Sequence, residues 1–369
     1  MRRCNKAHRP PVQVLSPGAF LSLCALLFLL SPALWAQEQH AQGSAVLADN
    51  LAGNRADSND ATRAGQPPNS VPPTRNASQQ EGFLRRVETD LVVLHATVLD
   101  KMGKPVTGLT REHFKVYENN VEQQLKVFKQ EDTPVSVGIL VDNSGSMRDK
   151  RKGVNAAALQ FVRSSHPMDE VFIVNFNDEP FLDTDFTDNL KLLEEGLEKI
   201  DSRGGTAFYS AIDASLKHLS EKGTRDKKVL LAVTDGEDNA SRLSLEEIVK
   251  TVQRSDAVIY TVGLLSGESS RSVRRTKRAL EAISKASGGK AYFPESLSEV
   301  QSVAGNIAAD IRSQYVLAYT PTALVKDGSF RRVEVKLSAP RKYGKLSVRT
   351  RTGYYADPQP ADQASTNSL

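Results

Sequence analysis

Four apolar runs without polar alternation constrain this chain most: Val135–Val141 (VSVGILV), Val171–Phe176 (VFIVNF), Val229–Val233 (VLLAV) and Val258–Val262 (VIYTV). A strand that is apolar on both faces has to be covered on both, the condition of a parallel sheet held between two helical layers. The segments between these runs carry apolar residues at helical spacing, over Lys152–Arg163, Leu190–Ile200, Tyr209–Leu219, Leu245–Gln253, Val273–Ser284 and Leu297–Ile311. A shorter run at Ala291–Phe293 adds a further strand. This alternation predicts an α/β fold over residues 132–313, doubly wound and Rossmann-like, with a mostly parallel central sheet.

The flanks read differently. Val87–Leu99, Phe114–Tyr117 and Gln124–Phe128 precede the α/β segment; Tyr315–Tyr319, Arg331–Leu337 and Leu346–Tyr355 follow it. No helical period separates them, so antiparallel pairing is expected. Gly103 and Pro105 mark a turn, and Asn119-Asn120 is expected to close a hairpin between the second and third strands. Three strands alone bury little. The economical expectation is one β-sandwich built jointly from 83–131 and 314–357, with the α/β domain inserted in it. Two separate β lobes are the competing arrangement.

Residues 1–36 have the layout of an export signal: four basic residues (Arg2, Arg3, Lys6, Arg9), the apolar run Ala19–Leu30, then Ser31-Pro32 and the small-residue end at Ala36. The run is short for a membrane span, which needs ~20 residues, and an uncleaved N-terminal anchor is the alternative reading. Both cysteines, Cys4 and Cys24, fall inside this segment, which leaves the remainder without a disulfide framework or cysteine metal site. The chain as a whole has 48 basic and 44 acidic side chains. Without the four basic residues of 1–36 the balance is 44 to 44, so no broad field for nucleic acid or anionic lipid remains. Residues 37–82 are poor in aromatic and β-branched residues and include GQPPNSVPP, the composition of a disordered linker; the tail 358–369 reads the same way.

Asp142-Asn143-Ser144-Gly145-Ser146 follows the first apolar run directly. In a doubly wound sheet, ligands bind beyond the carboxyl ends of the strands. A carboxylate and two hydroxyls on alternate residues of an extended loop face the same way there. Gly204-Gly205-Thr206 precedes the helix from Tyr209, and Thr234-Asp235-Gly236 closes the strand Val229–Val233. Together they offer two carboxylates and three hydroxyls, an oxygen set that suits a hard divalent cation. Taken alone, the first loop also reads as a helix cap.

This ordered set resembles the metal-ion-dependent adhesion site, or MIDAS, of von Willebrand factor type A domains, as in integrin inserted domains. The matching residues are Asp142, Ser144, Ser146, Thr206 and Asp235, within VGILVDNSGSM, RGGTAFYSAI and LLAVTDGEDN. The flanks DKMGKPVTGLTREHFKVYENN and RTRTGYYA are similar to those of the exported bacterial VWFA-related family known from acidobacteria. The resemblance implies Mg²⁺, with Mn²⁺ or Ca²⁺ as alternatives. It implies direct binding by Ser144 and Ser146, binding by Thr206 in the high-affinity state, and Asp142 and Asp235 acting mostly through water. A coordination position left open would accept an acidic side chain of a protein partner. In integrins a shift of the last helix accompanies rearrangement of this loop; the equivalent here is Leu297–Ile311.

The expectation is therefore a non-enzymatic, exported protein (periplasmic, cell-surface or secreted) that mediates cation-dependent adhesion. No nucleic acid is expected as partner, and a membrane only if the N-terminal segment stays uncleaved. A cell-envelope scaffold whose metal merely stabilises the fold is the alternative. An aspartate-based phosphoryl-transfer enzyme would need an acid two positions after Asp142, where Ser144 stands. Glu237 and Asp238 read as a solvated turn, and Arg271–Arg278 as a solvated helix face.

Overall fold

The structure is a computed structural model that describes residues 91–356, apart from 131, 199–201, 267–269, 324 and 339. The expected export signal, linker and tail, and the first residues of the strand expected from Val87, lie outside the described residues.

The chain begins with four strands, β1 (Val92–Leu99), β2 (Phe114–Glu118), β3 (Val121–Gln123) and β4 (Leu125–Lys129). An α/β succession follows: β5 (Val135–Asp142), α1 (Arg151–Arg163), β6 (Glu170–Phe176), β7 (Pro180–Thr187), α2 (Leu190–Glu198), α3 (Phe208–Lys222), β8 (Lys227–Thr234), α4 (Leu245–Arg254), β9 (Val258–Gly263), α5 (Ser270–Ser287), β10 (Ala291–Tyr292) and α6 (Leu297–Arg312). Four further strands end the described chain, β11 (Tyr315–Tyr319), β12 (Phe330–Leu337), β13 (Ser347–Arg349) and β14 (Gly353–Tyr355).

The central sheet has the order β10-β9-β8-β5-β6-β7. It is parallel except for β7, which runs antiparallel to β6 at the edge. Every residue of β5 is buried, as a strand covered on both faces requires. Val137, Ile139 and Val141 pack with Val154 of α1, Leu193 of α2 and Ile307 of α6. Leu140 points the other way, to Phe208 of α3, Ile248 of α4 and Leu280 of α5. Full burial of side chains of this size stabilises by roughly 1.5–3 kcal/mol each. Gly138 is needed for a close approach: a Cβ there would lie 2.3 Å from the Phe172 ring and 2.6 Å from Leu230. The edge strand β7 was not among the expected elements; its side chains are half-buried or exposed, so no apolar run announces it.

The flanking strands make two four-stranded sheets, β13-β1-β11-β4 and β14-β12-β2-β3. Each draws on both ends of the chain, through the antiparallel pairs β1 with β11 and β2 with β12. Leu94, Val116, Leu317 and Val333, from both sheets, belong to one buried cluster. Two expectations about these strands need correction. Asn119 and Asn120, at φ 45° and 68°, do form a tight turn, but it joins β2 to the short β3, and β4 pairs in the other sheet. The expected strand Leu346–Tyr355 is two strands, β13 and β14, one in each sheet. Thr350–Thr352 carries the chain between them, which a periodicity count over ten residues cannot resolve.

The seam between the flanks and the α/β region is polar. Asp310 near the end of α6 accepts from Tyr260 Oη at 2.8 Å and pairs with Arg349 of β13. His95 of β1 is buried, with no hydrogen-bond partner for Nδ1 among the described residues. Desolvation, with the Lys227 and Arg351 charges adding to it, lowers its pKa from 6.5 to about 3. No helix among the described residues is long and apolar enough to cross a membrane.

A pH dependence follows from His95. An unfolded chain takes up the proton near pH 6.5, whereas the folded one resists it until about 3. Stability is therefore lost as pH falls through this window, by about 2 kcal/mol at pH 5 for this residue alone. Urea unfolding at pH 7 and pH 5 should show a smaller difference for His95→Leu than for the unaltered chain; equal differences would mean that the ring is solvated.

Candidate metal centre

The register of the central sheet brings the site together. Val141 pairs with Val233, so the residues that leave the carboxyl ends of the adjacent strands β5 and β8 meet. Asp142, the last residue of β5, accepts the Ser144 backbone N–H on Oδ1 at 2.8 Å and the Thr234 hydroxyl on Oδ2 at 2.6 Å. From Ser144 the contacts continue across the loop. Its Oγ lies 3.1 Å from Ser146 Oγ, and Ser146 Oγ donates to Asp235 Oδ1 at 2.8 Å. Four of the five expected residues thus form one connected set, and Asp142 and Asp235 are fully buried.

Thr206 approaches from a different loop. It is buried, and its Oγ1 lies 3.8 Å from where a Cβ on Gly236 would sit, against the loop that carries Asp235. Backbone bonds hold that placement: Ala207 N–H donates to Asn177 C=O at 2.6 Å, and Asn239 N–H to Thr206 C=O at 3.0 Å. The Asp142 loop is tied to the glycine loop in turn, Arg203 N–H donating to Asn143 C=O at 2.9 Å. Gly204 has φ +77°, the left-handed region that favours glycine, and Asp178 Oδ1 accepts the Gly205 N–H at 2.7 Å.

Several contributors were not anticipated. Lys150 places Nζ 2.5 Å from Asp235 Oδ2, so an ammonium already lies on the second carboxylate. A signal for it exists: Lys150 and Arg151 open α1 with no acid in its first turn, which opposes the helix dipole unless a carboxylate stands nearby. Asp178 and Asn239 position the glycine loop from sequence distances that no local pattern reveals. Asp238 is half-buried and accepts the Tyr209 N–H at 2.8 Å at the start of α3, and Glu237 pairs with Arg275 of α5 at 3.1 Å. The expected solvated turn is therefore a structured one. Met147 packs in the core.

Burial raises the Asp142 pKa from 3.8 to about 6, against the hydrogen bonds from Thr234 and Ser144, which lower it; the nearby Asp235 adds to the rise. Two buried carboxylates with one ammonium, on Asp235, leave negative charge uncompensated. Oxygen donors without nitrogen or sulfur suit a hard cation such as Mg²⁺. No cluster of three or more His, Cys, Asp or Glu side chains suited to a metal is found among the described residues. Of the five candidate donors here, three are instead hydroxyls. The set fits such an ion.

Residues 137–237 match the model of the von Willebrand factor type A domain, so the α/β region contains a domain of that family. A search of curated proteins gave no match. Solved structures similar to the chain include the vWF domain of the type V pili tip protein Mfa5 from Porphyromonas gingivalis, at 13% identity and TM-score 0.42, covering 49% of this chain and 95% of that one. An aerotolerance-related membrane protein from Bacteroides fragilis matches at 19% identity and TM-score 0.40, over 48% of this chain and 98% of that one. Proximal thread matrix protein 1 from the mussel byssus, with a zinc-occupied MIDAS motif, matches at 15% identity and TM-score 0.40, over 53% and 49%.

The raised Asp142 pKa has a stability consequence in the absence of metal. The folded state favours the protonated acid, so its contribution is full below pH 4 and is lost as pH rises through about 6, a change of about 3 kcal/mol. Asp142→Asn should stabilise metal-free protein at pH 7.5 and flatten this slope in chelator-treated urea unfolding. An unchanged slope would show that the carboxylate is not desolvated.

Proposed function

We propose that the chain is an exported protein that binds a protein partner through a divalent cation held by Asp142, Ser144, Ser146, Thr206 and Asp235. The observation that carries this reading is the contact chain between two buried carboxylates, from Asp142 through the Ser144 amide and then the Ser144 and Ser146 hydroxyls to Asp235. When bound, the ion supplies a Lewis-acidic position for a partner's carboxylate, and Mg²⁺ is the proposed ion, with Mn²⁺ and Ca²⁺ as alternatives. Ser144, Ser146 and Thr206 would offer hydroxyl oxygens, and Asp142 and Asp235 charge. The type A domain match over 137–237 supports the reading.

In this proposal residues 1–36 direct export and 37–82 form a linker. Residues 83–131 and 314–357 make a shared β-sandwich around the type A domain at 132–313, and 358–369 are a polar tail. The protein acts in the periplasm, on the cell surface or outside the cell, without enzymatic turnover.

The decisive experiment is recovery of partners from envelope extract in Mg²⁺ and in EDTA, with the unaltered chain and with Thr206→Ala. A protein recovered only with Mg²⁺, and lost in Thr206→Ala, is the expected result. Recovery that ignores both chelator and substitution sinks the adhesion mechanism. If metal raises the melting temperature yet no metal-dependent partner appears, the scaffold role replaces it.

Lys150 supplies a second prediction. Its ammonium and an incoming dication compete for Asp235, so Lys150→Met should tighten Mg²⁺ binding severalfold in calorimetric titration. Weaker binding would instead make Lys150 part of what holds the site in shape.

A further inference from the structure

At the opposite end of the central sheet, where the strands begin, a cleft of about 990 Å³ opens between β1 and β11 of the flanking sheet and the start of β8. That volume lies in the upper range of small-molecule sites, ~300–1,000 Å³. Seven Lys or Arg residues line it against two acids, Asp226 and Asp256. Asp256 is already engaged by Lys228 at 3.3 Å. Of the cations, Arg225, Lys227 and Arg351 form no ion pair among the described residues; Lys227 donates to the Ile311 carbonyl and Arg351 to the Gln253 and Gly353 carbonyls. Arg225 keeps a buried Nε without a partner.

The second observation is His95. It lines the same cleft, is 9% exposed, and its Nδ1 finds no hydrogen-bond partner among the described residues. Buried polar atoms are rarely left unpaired without a reason. The Lys227 and Arg351 charges both act on this ring, so a positive field converges on one buried, unpartnered ring nitrogen. The rest of the lining is apolar at the mouth, where Leu91, Val93 and Val325 are 41%, 39% and 60% exposed.

We propose that this cleft is a binding site for an organic anion, its carboxylate or phosphate seated among His95, Arg225, Lys227 and Arg351 and its apolar body against Leu91, Val93 and Val325. The site is independent of the metal centre, which lies beyond the other ends of the same strands. The chemistry requires both parts. The anion offsets cations that form no ion pair among the described residues, and the apolar body covers side chains that otherwise face water. An anion seated there also favours the protonated imidazole, which gives the site its own readout.

The test follows the His95 ring resonance by NMR in the full chain, assigned by its loss in His95→Asn, with octanoate, acetate and octanol as probes. Octanoate is expected to shift the resonance saturably and to raise the His95 pKa by at least one unit. Acetate should bind at least fivefold more weakly, and octanol should leave the pKa unmoved. Arg225→Gln, with an unchanged melting temperature, should weaken octanoate at least fivefold. Should Arg225→Gln lower the melting temperature, Lys326→Gln at the rim takes its place, with at least a twofold loss expected. No saturable shift at His95, equal binding of octanoate and octanol, or affinity indifferent to whichever arginine or lysine substitution folds normally overturns the proposal.

Discussion

Two carboxylates meet in a dry place because β5 and β8 are neighbours in register, and much of the molecule's polar architecture answers that fact. A buried acid beside another buried acid is costly unless positive charge or protons are at hand. Thr234 and the Ser144 amide stabilise Asp142, while Ser146 and Lys150 serve Asp235. The glycine loop closes over the pair, itself held by Asp178 and Asn239. A cation with oxygen ligands is the chemical complement of what these groups leave unbalanced.

The same sheet carries opposite electrostatic demands at its two ends. Beyond the carboxyl ends, acids gather around Asp142; at the amino ends, cations gather around Lys227 and His95. Burial drives the Lys227 pKa down to about 7, with Arg312 adding to the fall, as burial drives that of Asp142 up. Both departures come from taking charge out of water. The parallel arrangement keeps them apart, since β5, buried along its whole length, runs from one end to the other.

The α/β region was legible in the sequence because its signals are long. A fully buried strand such as β5 has no alternation to misread, and α6 was placed to within one residue. The five candidate residues stand out in the sequence because they sit at strand ends and at a helix start, positions that local pattern locates well. What escaped notice depends on partners far along the chain. β7 is an edge strand with mixed exposure, so nothing in its composition separates it from a loop. β13 and β14 are three residues each, and only their partners β1 and β12 tell them apart. Lys150 was hidden differently: its meaning lies in a carboxylate 85 positions later.

The interleaved flanks set an order of events during synthesis. Leu109 and Tyr315 bond across 206 positions, and β1 has no partner until β11 and β13 have been made. The whole α/β region emerges in between and can fold on its own strands while β1 and β4 wait with open edges. Such edges invite pairing with other chains. A nascent molecule is therefore most prone to aggregate after its largest part is finished, until β11 and β13 appear and close the vulnerable edges.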